Sequence, residues 1–79
     1  MAMLRYIALN GTRKIVNLDR MDRIPGDDGE LQIRVARHCG GLLIIRILSS
    51  GSGVEITEAV LRERLKQTGA TLPWERSAA

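Results

Sequence analysis

Seventy-nine residues with a net charge of +3, 44% of them hydrophobic and 27% charged, describe one small globular domain rather than a disordered chain. The length excludes a multidomain enzyme, and a single cysteine excludes an intrachain disulfide framework. With no Phe, one Trp and one Tyr, the core must be built from Leu, Ile and Val.

Leu4 to Leu9 has the β-branched and aromatic content of a short strand. Asn10-Gly11 follows, a strong two-residue hairpin signal because both residues tolerate positive φ. Arg13 to Leu18 is then the returning strand, and pairing Leu9 with Thr12 would set Tyr6 opposite Ile15. Leu18, Met21 and Ile24 are spaced by three, which suits either one helical turn or a bent strand end. Pro25-Gly26-Asp27-Asp28-Gly29 is a turn.

From Leu31 the alternation is clear: Leu31, Ile33 and Val35 share one side, Gln32 and Arg34 the other. Gly40-Gly41 reverses the chain into Leu42–Leu48, a strand apolar on both faces except at Arg46. Ser49 to Gly53 is expected to be a flexible connector. Thr57 serves as N-cap for a helix over Ala59 to Gln67, with Val60, Leu61 and Leu65 as its apolar stripe and Gly69 as its stop. The expected fold is α+β: a small four-stranded, mostly antiparallel sheet in ββββα order, one face covered by the C-terminal helix. Residues 1–72 form that single domain and 73–79 a C-terminal tail, in which Trp74 either tucks back or stays exposed.

Basic residues are ten Arg and two Lys, and all the net charge falls in residues 1–24. There Arg5, Arg13, Lys14, Arg20 and Arg23 outnumber Asp19 and Asp22, and Arg34 and Arg46 could extend the basic surface. Arginine's planar fork suits carboxylate or phosphate, so these seven are candidate partner-binding residues. Leu42, Ile44, Leu48 and Trp74 are candidate apolar interface residues, because one narrow helix covers only one face of a sheet whose 42–48 strand is apolar on both.

Catalytic and metal constellations are poorly represented. His38 and Cys39 are adjacent, and on an extended strand their side chains would diverge. Two ligands fall short of a zinc site, the Asp27–Glu30 cluster lacks the spacing of a calcium loop, and Ser49–Gly53 lacks the Gly-Lys-Ser/Thr ending of a phosphate loop. No catalytic residue, metal or cofactor is therefore expected. The opening Met-Ala-Met-Leu-Arg-Tyr lacks the apolar stretch of a secretory signal, and Leu42 to Ile45 is too short to cross a bilayer. The expected location is cytoplasmic.

The stretch from Leu9-Asn10-Gly11 through Asn17-Leu18-Asp19 and Ile24 resembles the opening hairpin of FlbD-like small flagellar proteins. It covers under a third of the chain and carries over no function. In size and in lacking a catalytic set, the chain is also similar to small phage-encoded inhibitors such as anti-CRISPR proteins. The leading expectation is a non-enzymatic protein-binding module, a phage or mobile-element inhibitor or accessory factor, with another protein or a second copy as partner. The alternative is a small nucleic-acid-binding domain that uses the arginine-rich hairpin.

Overall fold

The computed structural model describes residues 2–24 and 32–76. The strands are β1 (Met3–Ile7), β2 (Arg13–Asn17), β3 (Asp22–Arg23), β4 (Gln32–His38), β5 (Gly41–Ile47) and β6 (Gly53–Glu55). Two helices follow, α1 (Glu58–Thr68) and α2 (Pro73–Arg76). The α+β class is as expected, but the sheet has six strands rather than four, in the order β2-β1-β6-β5-β4-β3. It is mixed, because β1 and β6 run parallel while the other neighbours are antiparallel. The expected turn at Pro25–Gly29, the Asp27–Glu30 cluster and Leu31 lie outside the described residues.

The two additional strands are the short segments Asp22–Arg23 and Gly53–Glu55. Ser49–Gly53 is no flexible connector: Leu48 N–H donates to Ser52 O at 2.8 Å and Gly51 N–H to Leu48 O at 2.9 Å, with Gly51 at φ 91°. That closes a three-residue hairpin loop, a tight turn ending in a left-handed glycine, and Gly53–Glu55 returns as β6 beside β5. The first hairpin is built the same way. Ala8 N–H donates to Thr12 O and Gly11 N–H to Ala8 O, both at 2.8 Å, with Gly11 at φ 86°. The loop is therefore Leu9-Asn10-Gly11, one residue longer than Asn10-Gly11 alone, and the register slides by one. Tyr6 pairs with Lys14 instead of Ile15, and Arg5 pairs with Ile15. A one-residue slip exchanges the faces of every side chain, so Leu4, Tyr6 and Ala8 turn inward while Met3, Ile7 and Leu9 turn out.

The two-residue turn occurs instead between β4 and β5. Its centre is Cys39-Gly40, both at positive φ (47° and 78°), rather than Gly40-Gly41. Between β2 and β3 both expectations for the 18–24 segment are met in succession. Leu18–Arg20 forms a 3₁₀ turn capped by the Asn17 side chain, which accepts from Asp19 N–H at 3.0 Å. Asp22–Arg23 then pairs with β4.

Both faces of β5 are sealed by this chain itself. Ile44 faces Ile33 and Val35 of β4, Ile24, and Leu61, Leu65 and Leu72 from the C-terminal segment. Ile45 faces Leu4, Tyr6, Ala8 and Met21, with Val16 of β2 and Ala36 of β4 packed against the same group. β2 and β4 lie on opposite sides of β1, β6 and β5, so they share a cluster only because the sheet curls. The expectation that β5 must bury its second face against a partner therefore fails: curvature supplies the cover that a flat sheet of this size lacks. Of the four candidate apolar interface residues, Ile44 is 1% exposed, while Leu42, Leu48 and Trp74 are half-buried, Leu42 and Trp74 against the helix-side core.

Helix α1 begins where Thr57 caps it, the threonine hydroxyl accepting from Val60 N–H at 3.4 Å. It ends at Gly69, left-handed at φ 71°. Leu61 and Leu65 are buried as expected, but Val60 is 49% exposed, so the stripe is narrower than its spacing implies. Beyond the helix, Leu72 is fully buried and Trp74 packs on the core. Arg62 reaches from α1 to Glu75 of α2 at 3.1 Å and to Glu58 at 3.6 Å.

Candidate functional site

The candidate cations divide between the two sides of the sheet. Strand pairing sets Arg46 beside Val54, Val54 beside Ile7, and Ile7 beside Arg13, a row across four strands on the outer side. In the next row Arg5 pairs with Ile15. Helix α1 covers the β4–β5 part of this outer side and leaves β1 and β2 bare. Met3 (55% exposed), Ile7 (45%), Leu9 (60%) and Ile15 (60%) consequently stand in solvent among Arg5 and Arg13. No carboxylate occurs on the outer side of β1, β2 or β6, since Glu55 faces inward beside Ile45. Among the described residues Arg5 and Arg13 form no ion pair; the pairs there belong to Arg62.

Lys14, Arg20, Arg23 and Arg34 do not join that surface. Lys14 pairs with Tyr6 on the inner side and lines a cleft with Arg20. Arg23 stands opposite Arg34 on the β3–β4 ladder, two like charges in register, and Arg34 Nε is buried with no partner among the described residues. The single basic stripe expected along the hairpin is thus three separate groupings. Alternation sends neighbouring residues to opposite faces, and adjacency in sequence concealed this.

The inner cleft is the second feature. It occupies roughly 600 Å³ at the open mouth of the curled sheet; Tyr6, Lys14, Arg20 and Glu55 are among its polar lining residues, and Met21 and Leu43 among its apolar ones. Tyr6 is 7% exposed. Burial pushes its phenol above the ordinary 10.0, and the Glu55 carboxylate pushes in the same direction. Glu55 is itself held in place, accepting from Leu9 N–H at 3.1 Å.

His38 and Cys39 do not diverge. The left-handed backbone at Cys39 turns its Sγ to 3.7 Å from His38 Nε2. Both are exposed, and no other described residue is hydrogen-bonded to the imidazole. A nucleophile–base pair ordinarily has a third group orienting the base, and this one has none among the described residues. Among those residues there is also no group of three or more His, Cys, Asp and Glu side chains that could hold a metal. No helix is long and apolar enough to cross a membrane.

Beside His38 and Cys39, the Arg37 guanidinium lies over the Trp74 ring, 4.9 Å from its centroid. That stacking keeps Trp74 against its own domain. Met3, Ile7, Leu9 and Ile15 were not anticipated as surface residues. The signal was present in the alternation Met3-Arg5-Ile7-Leu9, but the interleaved set Leu4-Tyr6-Ala8 is just as apolar. Only the register decides between them.

Comparison with protein-family models, with curated proteins and with solved structures gives no match. The resemblance of the opening segment to FlbD-like proteins therefore brings nothing further to this chain.

Proposed function

We propose that this chain is a non-enzymatic protein-binding module that engages its partner through the outer face of the β1–β2 hairpin. One observation carries the proposal: four large apolar side chains stand in solvent around two unpaired arginines, on strands that offer them no carboxylate. Four large apolar side chains gathered on one hairpin face of so small a domain support an interaction surface, and arginine beside apolar anchors is the composition of interface centres. The matching partner surface is acidic and amphipathic, with carboxylates for Arg5 and Arg13 and apolar side chains for Ile7 and Ile15. A second copy is a poorer match, because its own hairpin face offers those arginines no carboxylate. A small inhibitor or accessory factor acts in this way, by occupying a partner's surface.

The test is affinity capture from the native host, followed by titration with the purified partner. Ile15→Glu and Arg13→Glu should each weaken binding about tenfold or more, the cost of a central contact, whereas Lys66→Glu on exposed helix surface should leave it unchanged. The nucleic-acid alternative uses the same arginines but not the apolar residues between them, and that face has no aromatic platform for bases. Oligonucleotide binding that falls steeply with salt and survives Ile15→Glu would replace the protein-binding proposal.

A further inference from the structure

The inner cleft lies on the other side of the hairpin strands from the proposed binding face, and the two meet at Ile15, which borders both. Three observations coincide there. The first is shape: the sheet curls without closing, leaving a concavity of roughly 600 Å³, within the range of small-molecule sites. The second is a donor. Tyr6 lines the cleft and brings a phenol hydroxyl to it from β1.

The third is charge. Lys14 sits directly across the β1–β2 ladder from Tyr6, and Arg20 lines the same cleft from the 3₁₀ turn. Among the described residues neither cation has an ion-pair partner. The one carboxylate present, Glu55, is on β6 and already accepts from the Leu9 backbone. Met21, 6% exposed, and half-buried Leu43 give the cleft an apolar patch, while Asn17, Arg37 and His38 add polar groups to its lining. An apolar patch with convergent polar donors is the pattern of a ligand pocket.

We propose that this cleft binds a small organic anion with an apolar body. The oxyanion is held by Lys14, Arg20 and the Tyr6 hydroxyl, and the body lies on Met21 and Leu43. Charge-assisted donors from lysine and arginine suit carboxylate and phosphate alike. The proposal also states what Glu55 does: it repels the head and keeps it on the β2 side of the cleft.

Tyr6 is the protein's one tyrosine, so its ring resonances report on the cleft without ambiguity. The experiment titrates the full chain with hexanoate, hexyl phosphate, inorganic phosphate and hexanol, followed by NMR. Hexanoate and hexyl phosphate should saturate and move the Tyr6 ring together with the Lys14, Met21 and Leu43 backbone signals. Whichever of the two binds more tightly identifies the head. Lys14→Ala should weaken binding about tenfold, the scale of one lost charged hydrogen bond, and Tyr6→Phe should weaken it while leaving the fold intact. Glu55→Gln should tighten it.

Several outcomes would overturn the proposal. One is hexanol binding as well as hexanoate; another is shifts unaltered by Lys14→Ala with Arg20→Ala; a third is weaker anion binding in Glu55→Gln. The absence of saturable shifts at these residues would do the same. None of these outcomes bears on the hairpin's outer face, so the two proposals stand or fall separately.

Discussion

Two residues carry the tightest backbone demands in this molecule, and each makes a prediction. Cys39 is the one non-glycine residue with positive φ among those described, held at 47° in a turn with Gly40. A left-handed L-residue costs about 1–2 kcal/mol, and Asn tolerates the conformation best. Cys39→Asn should therefore stabilise the protein by up to about 1 kcal/mol, raising the thermal midpoint by roughly 4–8 °C in a reducing buffer. Gly53 is constrained by space instead of angle. A Cβ there would lie 2.8 Å from Ile45 Cγ2 and Leu4 Cδ2, and 3.1 Å from Tyr6 Cβ. These are core side chains with little freedom to retreat, so Gly53→Ala should cost about 1–3 kcal/mol in denaturant unfolding. At Gly41 the nearest atom to an added Cβ is 3.8 Å away, and Gly41→Ala should change stability by less than about 0.5 kcal/mol.

At the scale of elements, β6 and the segment beyond α1 do more than their lengths suggest. β6 has three residues, yet it alone joins the β1–β2 hairpin to the rest of the sheet, through Tyr6–Gly53 and Ile7–Val54. Gly53 lets the strands close to that distance, and the bond from Leu9 N–H to Glu55 clamps the far end. The segment after Gly69 completes the helix-side core rather than trailing from it. Leu72 is 0% exposed and packs with Leu61, Leu65 and Ile44. Leu72→Ala should cost about 2–5 kcal/mol, the range for a buried leucine that leaves a cavity. Val60→Ala, on the exposed side of α1, should stay within about 0.5 kcal/mol. A comparison of the two by chemical denaturation tests whether the C-terminal segment belongs to the cooperative unit.

Across the whole molecule the curl of the sheet sets both stability and surface. It seals Ile45, encloses Tyr6 and opens the cleft, and it leaves the hairpin's outer face bare because α1 covers the other end. The enclosed tyrosine gives stability a pH dependence with a definite sign. Its folded pKa lies above 10.0, chiefly through burial and then through Glu55. The unfolded chain therefore loses the phenolic proton first as pH rises. The stabilisation is complete below pH 10.0 and is lost progressively as pH climbs from there through the folded pKa. Tyrosinate absorbance should show a midpoint above 10.0, which Glu55→Gln brings back only part of the way, because burial is the larger cause.

Local chemistry was legible in the chain itself. Thr57 and Gly69 bound the helix because a hydroxyl cap and a left-handed glycine act within a few residues. The alternation from Gln32 to Val35 marks a strand for the same reason, and the aliphatic composition foretells the core. The first hairpin was legible as a hairpin but not in its register, since a loop of two or three residues can end at the same Gly11. That one-residue difference decides whether Tyr6 stands across from Lys14 or from Ile15, and with it where both candidate sites lie. The second apolar face of the 42–48 strand was read correctly as needing cover. Its cover could not be foreseen, because Leu4, Tyr6 and Met21 reach Ile45 only through the curvature of six strands. Composition and short-range stereochemistry thus determined the elements and the caps. The allocation of side chains to core, cleft and surface was decided by register and curl, which depend on contacts between residues far apart in sequence.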